Sequence, residues 1–208
     1  MGDGKRILAI GGAVIKTARE ELRKVILREK VEMLIHNGGS IFHDFQLATE
    51  ELESHSHPID DLLEDMSVNI PASKLVWKWL EDEKAPENSI TDLCNFLKIP
   101  VLLFTGMACD FWQMVGEDDQ WAALGECAFW DFKSLCERMR TPFHYVCMGS
   151  AVIQPEVFIK AVALSQPENF RADVVDFLDM YRPRTRVAKF GKYYKMTHKE
   201  YLEKWLKQ

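Results

Sequence analysis

Apolar residues in this chain follow two rhythms. Short unbroken runs end in glycine or small polar residues, and an amphipathic segment follows each one. "RILAIGGAVI" leads into "KTAREELRKVILREK", "VEMLIHNGG" into "SIFHDFQLATEEL", "IPVLLFTGMACD" into "FWQMVG", and "FHYVCMGSAV" into "IQPEVFIKAVALS". A further apolar run, "ADVVDFL", stands near residue 175. Continuous runs of this length suggest strands buried on both faces, and their alternation with helical segments suggests a parallel sheet. Ala72, Leu75, Val76, Trp79 and Leu80 share one face of a helix. Trp121, Leu124, Ala128, Phe132, Leu135 and Met139 do the same further on. The aromatics on these faces, with Trp77, read as core. Thr197 with Glu200 forms a capping box that opens a terminal helix, and Ser89 with Asp92 reads as a second capping pair.

This pattern predicts an α/β protein: a three-layer, Rossmann-like parallel sheet flanked by helices, with residues 1–208 as one domain. In such sheets ligands bind outside the carboxyl ends of the strands. Glycine there lets a ligand approach the backbone, and the next helix offers its free N–H groups to an anion. Four predicted strands end that way, at Gly11-Gly12, Gly38-Gly39, Gly106 and Gly149. With Asn37, Ser40 and Ser150 beside them, these residues form the expected cofactor-binding edge. Gly38 and Gly39 are expected to leave no room for a Cβ where the ligand lies, with free N–H groups from Ser40 onward.

Three residues on that edge are candidates for chemistry. Asp44 lies near the buried face set by Ile41, Phe45, Ala48 and Leu52. It either points into the crevice or serves as an acid partner for the helix dipole. His43 points further out, either toward the site or toward a surface or subunit contact. Asp110 follows "TGMAC" and reads equally as a general base, a ribose or amine ligand, or an N-cap. Further along, "YRPRTR" places Arg182, Arg184 and Arg186 around Pro183. That segment is either a clamp for a phosphate or carboxylate, or a set of inter-subunit salt bridges.

Composition narrows the classes. The net charge of −6 argues against nucleic acid as a partner, since neutralising phosphates needs a cationic surplus. No apolar stretch is long enough for a membrane span or a signal peptide, so no membrane partner is expected. Five cysteines, an odd number without a CxxC, read as reduced core thiols, and the expected compartment is cytoplasmic. "HSHP" at 55–58 reads as a solvated loop rather than a metal site, because no further Cys or His completes a ligand set.

The motifs also resemble a known family. "VEMLIHNGGSIFHDFQLA" looks like the stretch of deoxyhypusine synthases in which a strand ends in a Gly-Gly turn followed by acids and a helix. "KIPVLLFTGMACDFWQMV" and "YVCMGSAVIQPEVFIKA" are similar to later strand–turn–helix units of the same family. The resemblance spans about residues 8 to 178. It implies a Rossmann-like fold, NAD as cofactor and a homo-oligomer, tetramer or dimer. Gly38 and Gly39 match the family's nucleotide-contacting glycines, Asp44 the last acid of that motif, and Gly149 with Ser150 the later Gly-rich turn. The pattern departs at Phe42 and His43, where the family has acids, and at Pro155 and Glu156, where it has a His pair. Lys192 follows Gly191 as the family's nucleophile would, but Phe190 replaces Trp and the preceding loop is basic. The expected function is therefore that of a divergent deoxyhypusine-synthase-like protein. It binds NAD or a related nucleotide and acts on a small molecule other than the usual polyamine pair. The alternative is a non-catalytic oligomeric scaffold or nucleotide sensor of the same fold.

Overall fold

Every paired strand runs in the same direction. The computed structural model describes residues 5–49, 70–82, 84–105 and 118–207. Gly106, Cys109, Asp110 and the "HSHP" segment lie outside the described residues. The first half contains β1 (Lys5–Ile10), α1 (Gly12–Arg28), β2 (Val31–Asn37), α2 (Gly38–Ala48), α3 (Ile70–Asp82), α4 (Ile90–Phe96) and β3 (Val101–Phe104). The second contains α5 (Asp118–Arg138), β4 (Phe143–Met148), α6 (Ile153–Ser165), β5 (Phe170–Asp176), β6 (Tyr193–Lys195) and α7 (His198–Trp205). The sheet order is β3-β2-β1-β4-β5-β6.

The unbroken apolar runs are explained by burial on both sides. In β1, Ile7, Leu8, Ala9 and Ile10 are all fully buried. Ile7 and Ala9 join Tyr145, Cys147, Leu135 and Phe158 in one layer. Leu8 and Ile10 join Val14, Leu22, Cys94, Leu202 and Trp205 in the opposite layer. Helices α5 and α6 therefore cover one face, and α1, α4 and α7 the other. A third cluster packs Phe42 and Phe45 of α2 against Val76 and Trp77 of α3, with Leu103 and Leu124. Of the tryptophans read as core, Trp77 is buried, while Trp79 and Trp121 are partly buried against the same cluster; Trp77 and Trp121 meet edge to face at 5.2 Å.

Both capping expectations hold. Thr197 and Glu200 close a capping box on α7, and the Ser89 hydroxyl accepts the Asp92 N–H. Strand β6, three residues long, goes beyond the sequence reading, because "YYK" is too short to show a period. At the other edge, Asp131 of α5 accepts the Leu103 N–H at 2.7 Å, giving that backbone donor a partner within the chain.

Candidate functional site

The chain leaves β1 outward to β2 and β3, then returns to lay β4 on the other side of β1. The carboxyl ends of β1 and β4 therefore flank the point where the strand order reverses, the usual ligand position in open α/β sheets. Ile10 pairs with Met148 on one side and with His36 on the other, so the turns after β1, β2 and β4 share one edge.

Those turns touch. A Cβ on Gly11 would lie 1.9 Å from the Gly149 carbonyl oxygen. A Cβ on Gly12 would lie 2.9 Å from His43 Cδ2 and 3.2 Å from the Gly39 carbonyl oxygen. Gly149 has φ +64, a left-handed conformation that glycine adopts without steric cost. Gly11, Gly12, Gly39, Gly149 and His43 are thus brought together. Gly39 itself differs from expectation. A Cβ there would make only an ordinary contact with Asn37 Oδ1, at 3.7 Å, so a methyl group fits beside it.

Three polar residues expected to hold the cofactor spend their side chains on the fold. The Ser40 N–H donates to Asn37 Oδ1 at 2.8 Å, and the Asn37 N–H donates to Ser40 Oγ at 2.9 Å. This reciprocal cap starts α2, so the Ser40 N–H is not free for a ligand. Ser150 is buried, and its hydroxyl accepts the Gln154 N–H.

Asp44 does not open into the crevice. It is fully buried. Oδ1 accepts the Ile90 N–H at 2.7 Å, and Oδ2 accepts both the Thr91 N–H and the Thr91 hydroxyl at 2.9 Å. Arg19 Nε lies 3.8 Å from Oδ1. Burial raises the carboxyl's pKa, with these donors and Arg19 pulling the other way. Asp44 thus caps α4 from a distance, which removes it as a catalytic group. The reason lies in packing, because the Asp44 side chain faces the first turn of α4. From Thr91 the network continues to His36 Nε2 at 3.4 Å, and from His36 Nδ1 to Ser40 Oγ at 2.9 Å. It ties α4 to the turn after β2.

His43 keeps its place at the edge. Burial and the Lys16 charge lower its pKa to about 4, against the hydrogen bond to Gln46. At neutral pH the ring is uncharged. A hydrogen bond between Nδ1 and Gln46 Oε1, 2.9 Å long, fixes the orientation of the ring. His36 is held at about 3 by burial alone. Both folded-state values lie below the unfolded value near 6.5, so the unfolded chain takes up protons first as pH falls. Stability from these groups is present above about pH 6.5 and is lost toward their folded pKa values. Each histidine should cost about 2 kcal/mol between pH 7 and pH 5. Urea unfolding at both pH values should show His43→Gln removing its share of that loss. Parallel pH dependence in wild type and variant would contradict this account.

The arginine segment finds its partners within the chain. Arg182 and Arg186 reach Glu156 Oε1 at 3.4 and 2.5 Å, and Arg184 reaches Asp179 at 2.8 Å. Glu156 lies in the first turn of α6. Within the chain, each of these arginines thus has a carboxylate beside it. Lys192 is exposed and enters β6 from its amino end, away from the carboxyl edge, and its N–H is held by Asp173. Sequence reasoning passed over Asp176, at the end of β5, and His198, the first residue of α7. An acid closing the run "ADVVD" was the available signal. Among the described residues no cluster of three or more side chains suits a metal ion, and no helix is long and apolar enough to cross a membrane.

This architecture places the chain in the class of Rossmann-like three-layer α/β folds. No protein-family model matches the sequence, and no curated protein matches it. Solved structures do. The ternary complex of AgrE with ornithine and NAD+ aligns over 98% of this chain with TM-score 0.63 and 14% identity. A conserved putative LOR/SDH protein from Methanococcus maripaludis S2 aligns over 98% with TM-score 0.60 and 12% identity. The chain spans 30% of that AgrE chain and 61% of the LOR/SDH chain. A putative deoxyhypusine synthase from Entamoeba histolytica aligns with TM-score 0.49 and 11% identity, too distant to carry an argument. At these identities the likeness is one of fold.

Proposed function

We infer that this protein binds NAD or a related nucleotide across the carboxyl ends of β1, β2 and β4, and acts there on a small molecule beside His43. The observation that carries this reading is the convergence of Gly11, Gly12, Gly39 and Gly149 at the point where the strand order reverses. Gly39 is uncrowded, with room for a small group beside its backbone. His43, uncharged at neutral pH and a weak base there, stands at this edge against Gly12, where its ring can accept a hydrogen bond from a ligand. The fold neighbour AgrE holds NAD+ and ornithine together, so NAD+ heads the nucleotide panel and amino acids head the substrate panel.

Isothermal titration with NAD+, NADP+, ATP and ADP-ribose tests the binding. A nucleotide at 100 times its dissociation constant should add about 2.7 kcal/mol to stability. Gly39→Val should abolish binding with little change in melting temperature, since Gly39 is uncrowded. Absence of binding in wild type, or unchanged binding in Gly39→Val, would overturn the reading. One observation favours a non-catalytic sensor instead: Asp44 and the three arginines are occupied within the fold. Nucleotide binding with no turnover of any amino acid tested would select that alternative.

A further inference from the structure

His198 Nε2 is buried and has no hydrogen-bond partner. The residue is 1% exposed, and its ring stands directly against Gly149, where a Cβ would lie 3.2 Å from Nε2. A buried polar nitrogen without a partner is costly and rare enough to require a reason. The nearest charged group is Asp176 Oδ2, at 3.9 Å. That is too long for a hydrogen bond, but one oxygen about 2.8 Å from each atom would bridge it. Asp176 Oδ1 already accepts the Leu178 N–H at 3.1 Å, which fixes the carboxylate and leaves Oδ2 for the gap.

We propose that His198 and Asp176 hold one ribose hydroxyl of the bound dinucleotide. A hydroxyl fits both partners, since its proton goes to Asp176 Oδ2 and its lone pair meets Nε2–H of His198. Dinucleotide sites of this fold commonly place a ribose-binding acid at the end of the second strand. Here Asn37 stands at the end of β2, with its side chain committed to the cap of α2. The acid at a carboxyl end next to the β4 turn is Asp176, directly beside Gly149: Met148 pairs with Val175, one residue before each. Phe177, about half exposed, lies edge-on against the His198 ring at 6.2 Å.

The inference rests on the nucleotide reading, and the test separates the two. NAD+, adenosine and 2′,3′-dideoxyadenosine are titrated into wild type, Asp176→Asn and His198→Phe. Asp176→Asn keeps the acceptor for Leu178 and should weaken NAD+ binding at least about tenfold. If adenosine weakens in parallel and the dideoxy compound does not, the hydroxyl belongs to the adenosine ribose. If only NAD+ weakens, it belongs to the nicotinamide ribose. His198→Phe should lower NAD+ affinity while the melting temperature holds or rises, because an unpartnered polar atom is removed. Wild-type-like NAD+ affinity in both variants overturns the inference and leaves the functional reading standing. A fall in the melting temperature of His198→Phe with unchanged affinity marks a purely structural histidine and also overturns it. A wild type that binds no nucleotide overturns the functional reading, and the inference falls with it.

Discussion

Asp44→Ala is expected to destabilise the protein by about 3–5 kcal/mol, the range for removing one partner from a buried charged network. The substitution would strand the N–H groups of Ile90 and Thr91 and the Thr91 hydroxyl, all buried, and leave Arg19 without its nearby carboxylate. Ile90 and Thr91 are fully buried, so these donors do not reach bulk solvent. Asp44→Asn keeps one acceptor oxygen and should cost roughly half as much. A carboxylate acting only on a helix dipole would be worth a few tenths to about 1 kcal/mol. Urea denaturation therefore decides between the two roles. A loss below about 1 kcal/mol for Asp44→Ala would show that the network is not holding α4. Nucleotide affinity of the folded fraction should be little changed, because Asp44 faces α4 and not the crevice.

Gly11→Ala is expected to abolish folding, or to cost at least about 4 kcal/mol, among the largest effects of a single methyl group. The new Cβ would sit 1.9 Å from the Gly149 oxygen and 2.6 Å from its carbonyl carbon. Both are backbone atoms. The Gly11 N–H donates to the Met148 carbonyl at 2.8 Å, so the turns cannot part without breaking the β1–β4 ladder. Gly39→Ala is the control. It adds the same methyl where one fits and should stay within about 1 kcal/mol of wild type. Similar midpoints for the two variants in thermal unfolding would mean that the β1 and β4 turns are not in contact in solution.

These two positions also show where sequence reading succeeds and where it stops. Gly11 was marked as a strand-end glycine from the pattern alone, and the structure adds that its neighbour is another strand-end glycine. Asp44 was marked from its place in the first turn of a helix. Its partners Ile90 and Thr91 lie 46 and 47 residues further along the chain, and no local pattern encodes such a pairing. The arginines of "YRPRTR" were visible as a cluster, but Glu156 and Asp179 were not visible as their partners. His198 was invisible as a site residue because its signal, a nitrogen without a partner, exists only once everything around it is packed.

The amino-acid sequence by itself determined the alternation of strands and helices, the parallel sense of the sheet, the caps at Ser89 and Thr197, and the glycines at the carboxyl edge. These follow from periodicity and from backbone conformations that few residues allow, both local properties. The tertiary structure decided the strand order, the short strand β6, the use of Asp44 as a cap for α4, and the meeting of His198 with Asp176 and Gly149. Each of these depends on which distant segments share a space, and that is set by the packing of two layers of helices against one sheet.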